Sequence, residues 1–318
     1  MNEFEFIKNI KKNYGLDAVG DDCAVLPRDE LSDLLITSDL LVEDIDFRLD
    51  WTTPEMLGHK ALAVSLSDVA AMGGAPQWAL LSIGIPESLW SARFLDRFYE
   101  GWYGLANTYG VKLVGGDLSR TPAKLVVDST VGGTVAKGGA ILRSGANVGD
   151  SIFVTGPLGG AAAGLRLLEQ GMRFDQTSIS PTVELIKKQL APTARVEIAA
   201  RLRETGIVSS MIDLSDGVSS DLAHICRASD VGAVIFANDI PFESEVMEIA
   251  GSVAEMLDLA LNGGEDFDLL FTAPQEKISQ LNFDDIFRLG QITESVGVVE
   301  LERNGKREVL PPGGYRHF

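Results

Sequence analysis

Acidic side chains recur along this chain beside glycines or at the ends of short apolar runs. They read Gly20-Asp21-Asp22, Thr37-Ser38-Asp39, Ser67-Asp68, Gly115-Gly116-Asp117, Asp213-Leu214-Ser215-Asp216-Gly217 and Gly263-Gly264-Glu265-Asp266. An apolar run leading into Asp reads as a buried strand whose end delivers a carboxylate to a cleft. Carboxylates crowded together repel one another unless a cation neutralises them, and the cations that prefer all-oxygen ligands are Mg2+, Ca2+ and Mn2+. Six such clusters suggest a cage for several divalent cations, and with it chemistry on a polyphosphate.

Other routes to such chemistry are missing from the sequence. There is no GxxxxGK[ST] loop, and neither the HRD nor the DFG signature of protein kinases occurs. Gly156-Pro157-Leu158-Gly159-Gly160 before a helix could cradle an anion on free backbone N–H groups, but a tight strand-to-helix turn is the commoner use of such glycines. His59, His224 and His317 are the three histidines, none beside a Ser or Cys nucleophile in sequence, and they read as packed or capping residues. Asp213 and Asp216 stand three apart at a strand-to-helix transition and can face one cleft. Ser215 or Asp216 could instead cap the helix. Gly115-Gly116-Asp117 either lets a ligand approach the backbone or makes a hairpin turn.

The elements that must position these groups can be read from periodicity and punctuation. Strands are expected at Cys23–Leu26, Leu34–Thr37, Gln77–Ile85, Val111–Val114 and Lys124–Val135, with helices at Pro54–Met72 and about Ser88 to Tyr109. Pro54 suits a first helical turn, Gly73-Gly74 stops the helix, and Ala61, Val64 and Asp68 share a face. Phe4, Ile7, Ile10 and Tyr14 recur at helical spacing, so the first residues form a short amphipathic helix. The texture changes between Arg143 and Asp150. Beyond it Ser151–Thr155, Val208–Asp213, Gly232–Phe236 and Phe267–Phe271 read as strands. They alternate with helices through Glu169 and at Thr182–Gln189, Arg195–Glu204 and Val218–Ala228. Two domains follow, residues 1–145 and 146–318, of mixed α and β layers.

Composition sets limits on partners. Lys plus Arg total 27 against 46 Asp plus Glu, a net charge of −19, which argues against nucleic acid or an anionic membrane surface. Nucleotides stay possible, because bound cations invert a local field. Cys23 and Cys226 form no CxxC pair and read as small buried residues in a reducing compartment. No stretch approaches the roughly 18 consecutive apolar residues of a membrane span. A cytoplasmic enzyme is expected.

Seven segments in order then resemble the thiamine-monophosphate kinase family, of the superfamily that includes aminoimidazole ribonucleotide synthetase and selenophosphate synthetase. They are Gly20–Ala24, Ser38–Glu43, His59–Gly74, Val114–Asp117, Arg143–Ala146, Ile212–Gly217 and Gly263–Asp266, with Gly314-Tyr315 at the end. The resemblance implies an α+β / α/β two-domain fold whose N-terminal mixed sheet pairs across a homodimer, with a C-terminal α/β domain packed on it. It implies Mg2+ ligands at Asp22, Thr37, Ser38, Asp39, Asp68, Asp117, Asp213 and Asp216. Nucleotide contacts fall on Tyr99, Gly116, Asp117, Arg143 and Ser215, and thiamine contacts on Glu265 and Tyr315. ATP would phosphorylate thiamine monophosphate directly to thiamine diphosphate, the last step of that cofactor's synthesis, with several Mg2+ ions and no catalytic general base.

One segment departs from the family pattern. Where a VEGVHF-like stretch is expected, this chain has Val42-Glu43-Asp44-Ile45-Asp46-Phe47, so Asp46 replaces a substrate-contacting His. Local drift is the favoured account, since a carboxylate beside a cationic thiazolium ring is electrostatically reasonable; altered acceptor specificity is the other. Two rival functions stand beside the kinase. One is another ATP-using reaction of the superfamily. The other is a non-catalytic nucleotide- or metal-binding protein, which the crowded acids disfavour because they only destabilise a chain that does not use them.

Overall fold

The computed structural model describes residues 3–16, 18–280 and 285–315, with side chains described for 6–16, 18–277 and 285–315. The side chain of Phe4 and the whole of His317 lie outside these. Helix α1 (Glu3–Tyr14) precedes strands β1 (Ala24–Pro27) and β2 (Ser32–Val42), helix α2 (Pro54–Ala71) and strand β3 (Ala75–Pro86). Helix α3 (Ala92–Tyr109) and strands β4 (Lys112–Thr121) and β5 (Val126–Ala136) complete the first half. The five strands form one sheet in the order β1-β2-β5-β3-β4, with only β3 and β4 parallel.

Two strands run further than the residue patterns suggest. β2 continues past Thr37 to Val42, and β4 continues past Val114 to Thr121. Gly115-Gly116-Asp117 is therefore neither a hairpin turn nor a strand end but the middle of a strand. A Cβ on Gly116 would stand 1.8 Å from the Leu81 carbonyl oxygen, so glycine there serves the close approach of β4 to β3. Both strands hide their length for one reason. The sheet face away from α2 is open, so polar residues interrupt the apolar alternation.

Helix α2 is the centre of the first half. The Thr53 hydroxyl accepts the Met56 amide, Pro54 fills the first turn, and Gly73 with φ of 66° leads the chain away after it. Thirteen of its residues are buried, on every side, as suits a helix enclosed by other elements. It lies on β2 and β5 and beneath α3. The last contact is backbone to backbone: a Cβ on Gly58 would lie 1.9 Å from the Phe98 oxygen, and one on Gly101 1.8 Å from the Glu55 oxygen.

No helix or strand occupies residues 137–150, the segment where a boundary is expected. The second half then supplies β6 (Ser151–Val154), α4 (Gly160–Glu169), α5 (Pro181–Leu190), α6 (Val196–Thr205), β7 (Ser210–Asp213) and α7 (Val218–Ala228). After these come β8 (Gly232–Phe236), α8 (Ser244–Ile249), α9 (Val253–Asn262), β9 (Leu269–Ala273), β10 (Phe287–Thr293), β11 (Val299–Arg303) and β12 (Lys306–Val309). Its seven-stranded sheet has the order β12-β11-β8-β10-β6-β9-β7 and is mixed, with only β8 and β11 parallel. The fold is thus two α+β halves. One hydrophobic cluster spans both, because Phe153 and Phe271 (rings stacked at 5.3 Å) and Met211 join the residues around α2, while a separate cluster that includes Ile152, Leu222, Ile235 and Leu270 belongs to the second half alone.

The α2–α3 approach yields a prediction. Gly58→Ala must push the helices apart and should lower stability by about 1–3 kcal/mol, the usual range for overpacking. A urea unfolding midpoint equal to that of the wild type would show that the two backbones do not meet there.

Candidate active site

Three carboxylates converge from three elements. Asp22 comes from the loop before β1, Asp68 from the last turn of α2 and Asp213 from the end of β7. One oxygen of each lies within 4.8 Å of the others. Asp22 and Asp213 are buried, and Asp68 is partly buried. Each has a donor holding it in place. The Thr37 hydroxyl donates to Asp68 Oδ2, the Ser67 hydroxyl to Asp213 Oδ2 at 2.6 Å, and Arg143 reaches Asp22 Oδ1 through Nη2 at 2.5 Å. The Arg143 amide also donates to Asp21 at 2.7 Å. Asp39, beside them on β2, accepts the Ser65 hydroxyl at 2.7 Å.

Charge is unfavourable in this arrangement. Burial raises Asp22 even against Arg143, and burial together with Asp39 and Asp213 pushes Asp68 well above the carboxylate range. Asp213 is pushed up to about 8 by burial and by Asp22. Asp39 is pushed up to about 6, chiefly by burial, although the Ser65 hydrogen bond pulls it back. Asp22 Oδ2 is buried with no hydrogen-bond partner. Crowded, desolvated oxygens with one lacking a partner are the donor set that hard divalent cations select. Asp22, Asp68 and Asp213, with Asp39 adjacent, fit such an ion.

Strand geometry divides Thr37-Ser38-Asp39, since neighbours on a strand point to opposite faces. Thr37 and Asp39 face α2, whereas Ser38 faces away and contacts Asp128 at 3.1 Å and Thr130 at 3.0 Å. Asp117 is exposed on β4, in register with Ser82, which is in register with Asp128. Three strand steps, roughly 14 Å, separate β4 from β2, so this chain alone does not bring Asp117 or Gly116 to the trio. Tyr99 packs on α3 against Phe98 and Tyr103.

A cavity of about 580 Å³ opens beside the acids. It is lined by Asp39, Asp46, Ser215, Asp216, Glu265 and Tyr315, among others. Residues expected to hold metal and residues expected to hold the acceptor thus border one space, of the size of a small-molecule site. The Glu265 amide donates to the Ser215 carbonyl at 2.9 Å and the Tyr315 amide to that of Asp216 at 3.3 Å, which ties both segments to the β7–α7 turn. Glu265 has φ of 68°, a left-handed conformation that costs a non-glycine residue about 1–2 kcal/mol. Asp46 accepts the Val42 amide at 2.7 Å and so also holds the turn after β2.

Other acids and bases have structural duties. Asp266 Oδ2 and Oδ1 accept the Gly159 and Ala161 amides at 2.8 and 3.0 Å, so the glycine-rich turn before α4 already carries an anion, one belonging to this chain. Burial pushes Asp266 up to about 7. Asp221 accepts the Gly217 amide at 3.0 Å and fixes the turn behind Asp216. His59 is packed, its Nε2 at 2.8 Å from the Pro192 oxygen, and both cysteines are buried and free. Ser65 and Ser67 hold Asp39 and Asp213 in place although neither is expected as a site residue, whereas Asp128 lies with Ser38 on the opposite sheet face. Their signal is position: Ser65 and Ser67 sit on the helix that delivers Asp68, and Asp128 lies in a strand that also carries Ser129, Thr130 and Thr134.

Comparison with known proteins gives this arrangement its place. The family models for AIR synthase related protein match the N-terminal domain over residues 20–135 and the C-terminal domain over residues 147–301. The thiamine-monophosphate kinase of Buchnera aphidicola (Acyrthosiphon pisum) is 39% identical, covering 99% of this chain and 98% of its own. That of Escherichia coli K12 is 38% identical over 94% and 91%. The chain belongs to the thiamine-monophosphate kinase family. A solved structure described as AaThiL complexed with AMPPCP and TMP superposes with a TM-score of 0.87 at 32% identity, covering 100% of this chain and 97% of that one.

The raised carboxyls set a pH dependence. In the metal-free chain Asp39 and Asp213 keep protons that the unfolded chain, titrating near pH 4, has released. Their stabilising contribution is therefore full below about pH 4 and is lost as pH rises through about 6 and then about 8. The melting temperature without metal should fall between about pH 5 and 8.5, and millimolar Mg2+ should abolish the fall. A melting temperature that rises over this range without metal would contradict the assignment of these groups.

Proposed function

We propose that this chain transfers the γ-phosphoryl group of ATP to thiamine monophosphate, giving thiamine diphosphate and ADP. The observation that carries the reading is the shared cavity, in which Asp39 and Asp216 meet Asp46, Glu265 and Tyr315 beside the buried trio. Family membership at full length supports it.

The acceptor's phosphate oxygen is already ionised at neutral pH and needs no strong base. A bond forms between that oxygen and the γ-phosphorus while the bond to the ADP oxygen breaks, without a phosphoenzyme. What opposes the step is repulsion between two anions, so catalysis rests on positioning and charge neutralisation. Divalent cations held by Asp22, Asp39, Asp68, Asp213 and Asp216, with Thr37 adjacent, would supply that neutralisation. Arg143 and Ser215 stand beside the acids to orient the nucleotide. Glu265, Tyr315 and Asp46 hold the thiamine end, where carboxylates complement a cationic ring. This reading needs no histidine, in keeping with the packed state of His59.

Ser38, Gly116, Asp117 and Tyr99 enter through a second copy. The open face of the five-stranded sheet carries Leu40 (55% exposed) and Leu80 (37% exposed), and β4 is an edge strand. A homodimer pairing these faces would cover the apolar surface and place the nucleotide at its rim, with Ser38 and Asp117 completing the metal set. We read the chain as a cytoplasmic enzyme of two domains, 1–145 and 146–318.

Release of ADP with Mg2+-ATP should depend on thiamine monophosphate and fail with free thiamine or aminoimidazole precursors; turnover confined to another acceptor would overturn the reading. Asp68→Asn and Asp216→Asn should each lower kcat by at least about 10²-fold, and near-normal turnover in both would remove the metal role. Asp46→His should change the KM for thiamine monophosphate. An unchanged KM would take Asp46 out of the acceptor site.

A further inference from the structure

A lysine is buried against Glu265, the carboxylate assigned to the acceptor end of the cavity. Lys60 lies in the apolar middle of α2, with its side chain 3% exposed. Its Nζ stands 2.7 Å from Glu265 Oε1 and donates to the Gln189 carbonyl oxygen at 3.2 Å. The other Glu265 oxygen, Oε2, accepts from Gln189 Nε2. Gln189 is itself buried, at the end of α5. Glu265 thus has both oxygens engaged, one from each half of the molecule, yet its side chain stays 28% exposed and lines the cavity.

We infer that Lys60 is a positioning residue for the acceptor site: with Gln189 it clamps the Glu265 carboxylate so that it faces the bound acceptor in one fixed orientation. This rests on the assignment of Glu265 to the thiamine end. Three observations favour the clamp over simple charge compensation. A lysine is almost never buried this deeply unless paired, and here the pairing partner is a carboxylate that itself lines the cavity. Glu265 is held in a left-handed backbone conformation by its amide bond to Ser215, so neither its main chain nor its side chain is free to adapt. The clamp also joins α2, which carries Asp68, to the loop carrying Glu265, so the acceptor end and the metal end share one rigid support. A carboxylate accepts at up to four lone-pair positions, so two engaged donors leave capacity for a cationic or N–H-bearing ligand.

The test is a double-mutant cycle read by steady-state kinetics on the full-length protein. Lys60→Met keeps the unbranched apolar stem, one atom shorter, and removes the charge. It should raise the KM for thiamine monophosphate by about tenfold or more, with the KM for ATP within about twofold of wild type; a tenfold change corresponds to about 1.4 kcal/mol. In a Glu265→Gln background the same Lys60 substitution should add no further increase, because residues that act as a unit are not additive. Gln189→Met, which removes the other arm and buries no new charge, should raise the same KM by a smaller factor and serves if Lys60→Met does not fold. An unchanged acceptor KM, an equal rise in both KM values, or independent effects of Lys60 and Glu265 would each overturn the inference while leaving the kinase reading intact. A wild-type protein without thiamine-monophosphate turnover would overturn both.

Discussion

The structure depends on holding three carboxylates together in a space that does not favour their charge. At 4.8 Å or less and an effective dielectric of about 20, each ionised pair repels by roughly 3–4 kcal/mol. Three such pairs approach the whole stability of a domain, about 5–15 kcal/mol. Of the three, the Arg143 guanidinium hydrogen-bonds Asp22, and Thr37 and Ser67 offer only hydroxyls to the others. These donors orient the acids but cannot neutralise all of them. Protons or divalent cations must do so, which couples the stability of the fold to the occupancy of its site.

The elements carrying the trio are packed accordingly. Asp22 and Asp213 come from separate halves of the sequence and meet Asp68 on α2, which contacts β2 and β5 of one sheet and β7 of the other, with its backbone pressed against α3 at Gly58 and Gly101. Its inward surface carries Lys60, Ser65, Ser67 and Asp68 in just over two turns, directed at Glu265, Asp39, Asp213 and Thr37 in that order. A helix that meets water has one polar stripe. This one is enclosed, so its polar residues can be used only where a partner from another element meets them. That explains why a nearly apolar helix carries the densest set of functional contacts.

The same enclosure decided what the residues alone could reveal. Asp22 and Asp216 are legible from the glycines near them, and Asp68 and Asp213 because each interrupts or ends an apolar run. Ser38 reads as one group with its neighbours because adjacency in sequence hides the alternation that turns it to the opposite sheet face. β4 was cut short at Val114 because an open face and a glycine fitted to Leu81 look like a turn. β10, β11 and β12 carry no acidic motif and escaped notice. Asp266 shared a motif with Glu265 but caps α4, and only tertiary contact tells the two apart. Lys60 was invisible for a related reason: in an apolar helix it reads as a surface residue, and its partner lies 205 positions along the chain at Glu265.

The two ends of the cavity are both acidic, yet they differ in what they can accept. Around Asp22, Asp68 and Asp213 the acids crowd one another, so that end prefers an added cation and, through it, a phosphate. At the other end each acid already has a local donor: Glu265 has Lys60 and Gln189, and Asp46 has the Val42 amide. Those carboxylates are held in place without a metal and remain available to a ligand that brings its own positive charge. A molecule with phosphate at one end and a cationic ring at the other matches this division, whereas one with anions at both ends meets repulsion from acids that have no cation to bridge them. Under the proposed reading, Asp46 in place of the histidine expected from the family pattern keeps the sense of the discrimination. It exchanges a side chain that can carry positive charge for one that cannot, at the end where the ligand supplies the positive charge itself.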